Sequence, residues 1–251
     1  MQLSAVFFDV DGTIAETEDM HRKSFNESFK EFNLDWFWDK AIYKELINVG
    51  DGSERIKHYI KRAWPEMMEY KNLTKYINSI HKVKSEIFED HVSESDIKIR
   101  PGVLRLIKEL KIKGKRIVIV SSSSEKSLLK LFKQGLDIDP KLYFDLIAHG
   151  GCTKNKRPSP EIYEWSLEKL RLPSQACVAI EDSLRGVMSA KNANLNVLVT
   201  PSIFTQEEDF SLADVVVSNL GELKNPFNVI KGEVYGHKIV NIKLLESVLK
   251  I

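Results

Sequence analysis

Four consecutive apolar residues, Ala5-Val6-Phe7-Phe8, run directly into Asp9-Val10-Asp11-Gly12-Thr13. This junction constrains the fold more than any other part of the chain. An apolar run of strand length reads as a strand buried on both faces, as in a parallel sheet covered by helices. Open α/β sheets place their ligands beyond the carboxyl ends of such strands. On extended backbone, residues two apart point to one face, so Asp9 and Asp11 share a site. Two acids that close repel each other unless a cation or a proton separates them. Gly12 permits a tight turn that brings backbone N–H groups near an anion. The combination predicts a metal-dependent phosphate site. Asp-x-Asp-Gly also opens calcium loops of the EF-hand type, but those need further acidic ligands between two helices. Here a strand precedes the motif, and Ile14 stands where a ligand is due.

The remainder of the chain alternates in texture. From about Glu18 to residue 96, apolar residues recur at helical spacing, as in Phe25, Phe29 and Phe32 or Ile56, Tyr59 and Ile60, which predicts a small helical bundle. After Arg100-Pro101-Gly102 the pattern becomes helix (103–113), strand (116–120), helix (125–134), strand (144–148), helix (160–170), strand (177–180), helix (184–193) and strand (196–199). An edge strand at 214–217 and a closing helix at 243–250 complete the expectation. Alternating β and α elements predict a Rossmann-like, doubly wound parallel sheet. Residues 1–17 and 97–251 form this core, and residues 18–96 form a helical cap inserted after its first strand, with hinges near Thr17, Glu18 and Asp96. Inserts of this kind serve to sequester a reaction from water.

Charge and composition bound the partners. With 37 basic and 36 acidic residues the formal charge is +1, which argues against nucleic acid and membrane surfaces. Two cysteines, Cys152 and Cys177, give no disulfide framework, so a reducing cytoplasm is expected. No stretch reaches the length needed to span a bilayer, and no leader is expected where strand residues begin at Leu3. Three of the four tryptophans (Trp36, Trp38 and Trp64) fall in the cap, where packing is the simplest account. A monomer is expected.

Each later core strand ends in residues suited to a phosphoryl group. Val120 runs into Ser121-Ser122-Ser123-Ser124 before a helix, where a hydroxyl and free N–H groups form an anion site; helix capping alone needs only one serine. Lys154, Lys156 and Arg157 precede Pro158-Ser159-Pro160 and could neutralise phosphate oxygens, or form a solvated basic loop. Val178-Ala179-Ile180 meets Glu181-Asp182-Ser183, a second acidic pair of the kind a hard cation needs, or a helix cap.

Taken together, these four segments resemble the four motifs of the haloacid dehalogenase-like hydrolase superfamily, and the insert resembles its cap subclass I. Residues 15–22, 35–39, Ile99-Arg100-Pro101-Gly102 and 156–163 further resemble the CbbY-like phosphatases, relatives of β-phosphoglucomutase. The resemblance implies hydrolysis of a small sugar phosphate, with xylulose 1,5-bisphosphate the named candidate. Asp9 is then the nucleophile and Asp11 the general acid and base. Mg2+ is held by the Asp9 carboxylate, the Asp11 backbone carbonyl and Asp182, with Glu181 direct or through water. Ser121, Ser122 and a third-motif cation hold the phosphate. The family's usual lysine before proline is Arg157 here, with Lys156 the alternative. Glu16, His21, Tyr43, Arg55, Lys84 and Arg100 are the implied substrate residues of cap and hinge, the last three carrying a second phosphate. Ser53 stands where the family has a cation. A sugar-phosphate mutase, a phosphoglycolate-type phosphatase and a catalytically silent binding protein are the other readings.

Overall fold

The computed structural model describes residues 2–95 and 97–249. The chain divides into two compact units, one of Met1–Glu16 and Ile97–Ile251 and one of Thr17–Asp96. The first contains strands β1 (Ala5–Phe8), β2 (Arg116–Val120), β3 (Leu146–Ala148), β4 (Cys177–Glu181), β5 (Asn196–Val199), β6 (Val215–Val217) and β7 (Val229–Lys231). They form one sheet in the order β3-β2-β1-β4-β5-β6-β7, parallel except for β7. Helices α1 (Glu18–Glu31), α2 (Lys40–Leu46), α3 (Gly52–Ala63) and α4 (Leu73–Glu94) build the second unit. Helices α5 (Val103–Ile112), α6 (Glu125–Lys130), α7 (Pro140–Tyr143), α8 (Glu161–Leu170), α9 (Leu184–Asn192) and α10 (Ile242–Val248) belong to the first.

The sheet places the motifs. Phe8 of β1 sits level with Ile119 of β2 and Ile180 of β4, so the next residues along, Asp9, Val120 and Glu181, emerge side by side at the carboxyl edge. The Asp9 N–H donates to the Ile180 carbonyl (3.0 Å), extending the ladder by one residue. Strand order reverses about β1, and such a switch point opens a crevice beyond the strand ends. Ala5 and Phe7 pack on one face with Tyr163 of α8 and Val187 and Ala190 of α9. All four β1 side chains are fully buried, as a parallel strand with helices on both faces requires.

Several boundaries differ from the sequence reading, and the helix expected over 125–134 ends as an α-helix at Lys130. Residues 214–217 were expected at the sheet edge, but β7 pairs antiparallel outside them. Its Val229, Ile230 and Lys231 are all exposed, so no alternation marks β7 in the sequence. Phe144 does not extend β3; it follows α7 and packs its ring on Phe132 (4.9 Å). The closing helix ends at Val248, and Lys250 lies outside the described residues, as does Asp96. Among the described residues no helix is long and apolar enough to cross a membrane.

The second unit is held by aromatic rings. Trp38 is fully buried between Phe25 (4.6 Å) and Phe29 (4.9 Å), and Trp36 stacks on Trp64 (5.2 Å). Asn26 of α1 fixes this segment by exchanging two hydrogen bonds with the Trp38 backbone (2.7 and 2.9 Å). His81 of α4 sits beside Phe25. Burial first, and the Lys84 ammonium second, lower its pKa to about 4, below the unfolded value near 6.5. The unfolded chain therefore binds more protons between these values, and stability present above pH 6.5 is lost as pH falls through 4. The expected loss is up to ~3 kcal/mol. Urea unfolding at pH 7 and pH 4.5 should show His81→Gln to be less pH-sensitive than the wild type by that margin.

Candidate active site

Asp9, Glu181 and Asp182 each place a carboxylate oxygen within 4.8 Å of the others, and all three residues are buried. Like charges brought this close out of water need compensation. Arg157 supplies part of it. Its Nη1 donates to Asp9 Oδ1 (2.7 Å), its Nη2 donates to the Val120 carbonyl (2.9 Å), and Nη2 also lies 3.3 Å from Glu181 Oε1. Against the cost of burial, the Glu181 and Asp9 carboxylates hold the guanidinium above its ordinary pKa. Burial foremost, then the Glu181 charge, pushes Asp9 well above the usual carboxylate range, with Arg157 opposing. Burial likewise raises Glu181, again against Arg157.

One guanidinium does not satisfy three carboxylates. Asp9 Oδ2 and Glu181 Oε2 are buried with no hydrogen-bond partner among the described residues. An orphaned buried oxygen on an ionisable group is costly, and two of them in an all-oxygen cluster suit a hard divalent cation such as Mg2+. Glycines make the space. Gly12 adopts φ +84°, and a Cβ there would overlap the Asp182 carboxylate. A Cβ on Gly186, in the first turn of α9, would overlap the Glu181 carboxylate.

The neighbouring residues are deployed unequally. Asp11, two residues beyond Asp9, accepts from Ser123 Oγ (3.4 Å). Ser121 is buried at the end of β2; its N–H donates to the Ala148 carbonyl and its Oγ accepts from the Ser123 N–H (3.1 Å). Ser122 is exposed, and Ser124 caps α6 by accepting from Ser127 N. The serine run thus divides into a strand end, an Asp11 partner and a helix cap, a division its uniform spelling concealed. The sequence reading missed Ser123. It also missed Thr205, whose hydroxyl lies 3.4 Å from Asp182 Oδ2, and Arg185, which donates to the Arg157 carbonyl.

Two of the implied residues are engaged with backbone carbonyls. Lys156 donates its ammonium protons to the carbonyls of Gly150 and Thr153 (2.8 Å to the latter), bracing its own loop while Arg157 enters the carboxylate cluster. Arg100 belongs to the first unit. Its guanidinium pairs with Glu16 (3.1 Å) and donates to the carbonyls of Gly12, Thr200 (2.8 Å) and Pro201 (2.7 Å). Those contacts tie the first-motif turn to the segment after β5.

The insert gathers the other four implied substrate residues. Lys84 Nζ lies 2.6 Å from His21 Nδ1, within hydrogen-bond distance. Both are buried, with His21 stacked on Phe88 (3.9 Å) and the ammonium 4.8 Å from the Phe25 ring centre, a favourable cation–π distance. Arg55 Nη1 donates to the Tyr43 hydroxyl (3.0 Å), which donates to Glu18 Oε2 (2.7 Å). Glu18, 3.9 Å from Arg55, is a member of this group that no spacing pattern signalled.

A doubly wound sheet with paired acids at its switch point and a cation facing them defines a class of hydrolase. The chain matches the family model of haloacid dehalogenase-like hydrolases over residues 6–200 and belongs to that family. Within it, the chain is 37% identical over 221 residues to protein CbbY of Cereibacter sphaeroides, an alignment covering 88% of this chain and 94% of that one. The crystal structure of a mutant CbbY from Rhodobacter sphaeroides, in complex with xylulose-(1,5)-bisphosphate, superposes with a TM-score of 0.80 at 36% identity, covering 89% and 98% of the two chains. A β-phosphoglucomutase from Clostridium difficile shares the fold at TM-score 0.72 and 22% identity, covering 89% and 95%.

The Gly186 contact gives a stability test. Alanine is better than glycine in a helix by about 1 kcal/mol, whereas overpacking a filled site costs about 1–3 kcal/mol. Gly186→Ala should therefore lower the free energy of urea unfolding, and a gain in stability would show that the Glu181 carboxylate moves aside freely.

Proposed function

We propose that this hydrolase is a Mg2+-dependent phosphatase acting on a small sugar phosphate through an aspartyl-phosphate, with xylulose 1,5-bisphosphate the candidate substrate. The observation that carries the reading is Arg157 held 2.7 Å from Asp9 within a buried cluster of three carboxylates. The relationship to CbbY, one of whose structures contains that bisphosphate, supports the substrate.

Asp9, Asp182, Glu181 and the Asp11 carbonyl are the groups that would hold Mg2+, whose charge, when bound, offsets that of the phosphoryl oxygens. Asp9 attacks phosphorus, and the P–O bond to the sugar breaks as the aspartyl-phosphate forms. Asp11 gives its proton to the departing sugar oxygen. It then takes a proton from water as that water attacks phosphorus, releasing phosphate and restoring the Asp9 carboxylate. Arg157 and Ser121 orient the transferring group; a guanidinium can fork onto two phosphate oxygens where lysine offers a point charge. In the insert, Lys84 and Arg55 are the cations for a second phosphate, and His21 and Tyr43 fix their positions.

Asp9→Asn should abolish turnover of a generic aryl phosphate. Arg157→Ala should lower kcat/KM by about 10²–10³-fold, the cost of losing one charge-stabilising donor, while Lys156→Ala stays within a few-fold. Equal losses in the last two would return Lys156 to the site. Phosphate release across a panel of sugar mono- and bisphosphates, with and without Mg2+, tests the substrate. Selective, Mg2+-dependent release from xylulose 1,5-bisphosphate is the expected result, and an isomerised product without free phosphate would identify a mutase.

A further inference from the structure

Tyr163 of α8 has no role in the reaction as described, yet it is fully buried and its hydroxyl donates to Glu181 Oε1. We propose that Tyr163 is a positioning residue that holds the Glu181 carboxylate in the cation-binding cluster. This inference rests on reading the cluster as a divalent-cation site.

The geometry leaves Glu181 little freedom. Oε1 faces both the Tyr163 hydroxyl and Arg157 Nη2 (3.3 Å), while Oε2 packs against Gly186. Rotating the carboxylate would strand a phenol O–H among apolar side chains, which is strongly disfavoured. The phenol is itself fixed. Its ring packs on Phe7 of β1 (6.0 Å), and its backbone N–H donates to the Pro160 carbonyl (2.9 Å). The Arg157 guanidinium lies 6.0 Å from the ring centre. One aromatic residue, six positions after Arg157, therefore contacts both the cation and the acid that share the cluster. Without the hydroxyl, Oε1 loses one of the two groups it faces, and the carboxylate is no longer held from the side of α8. Groups that orient metal ligands from behind typically govern affinity by 10–100-fold.

Tyr163→Phe keeps the ring and its packing and removes only the hydroxyl. Calorimetric titration with Mg2+ should show affinity reduced by about 10-fold or more, with the melting temperature of the metal-free protein near wild type. In aryl-phosphate turnover the half-saturating Mg2+ concentration should rise by a similar factor, and KM for the ester should move much less. Glu181→Gln supplies the second arm: if Tyr163 acts through Glu181, adding Tyr163→Phe to Glu181→Gln weakens Mg2+ binding little further. Fully additive losses would overturn the proposal, as would wild-type Mg2+ affinity in Tyr163→Phe. A wild-type protein that neither binds Mg2+ nor turns over the ester would overturn the cation-site reading itself.

Discussion

The arrangement depends on one electrostatic conflict: three carboxylates gathered at the end of a fully buried sheet. In a low-dielectric setting such charges cannot coexist unaided. Arg157 resolves half of the conflict by binding Asp9 and Glu181 together, and the two orphaned oxygens are the unresolved half. Much of the surrounding structure serves to sustain that half-balanced state. The sheet register sets Asp9 beside Glu181, the glycines admit the carboxylates, and Arg185 pins the backbone of Arg157 from α9.

The core was legible in the sequence where burial and periodicity act alone. Residues 5–8, 117–120 and 197–199 are apolar, buried runs in a parallel sheet, and each lies in an expected strand. β7 was not legible, because an exposed three-residue edge strand leaves no hydrophobic pattern. The same distinction runs through the site. Asp9, Asp11, Glu181 and Asp182 announce themselves by being acidic at strand ends. Tyr163, Thr205 and Arg185 approach from helices and loops whose spacing is governed by packing, so only the folded chain shows where their polar atoms point.

Arginine illustrates why residue type alone misleads. Arg100, Arg105 and Arg157 are all largely buried, yet they do different work. Arg105 donates to the carbonyls of Leu220, Gly221 and Val240 (2.9 Å each), and Arg100 bridges loop carbonyls around the first motif. Of the three, Arg157 is the one hydrogen-bonded to a carboxylate of the cluster. A planar fork of donors suits backbone carbonyls as well as it suits phosphate, so a cation in the sequence is as readily a clasp for loops as a receptor for anions.

The pairing of β1 with β2 joins Ala5 to Arg116 across the whole helical insert. Closing a chain loop costs entropy that grows only with the logarithm of its length, about 0.6 kcal/mol for each doubling. The insert is also folded in its own right, with α1 and α4 packed along each other, so its ends are already tethered and the effective loop is shorter still. The strand that carries Asp9 is thus nearly indifferent to how much chain is threaded between it and its neighbour. Large changes in the insert, in size or in lining, are open to this architecture without loosening the sheet that supports the carboxylates.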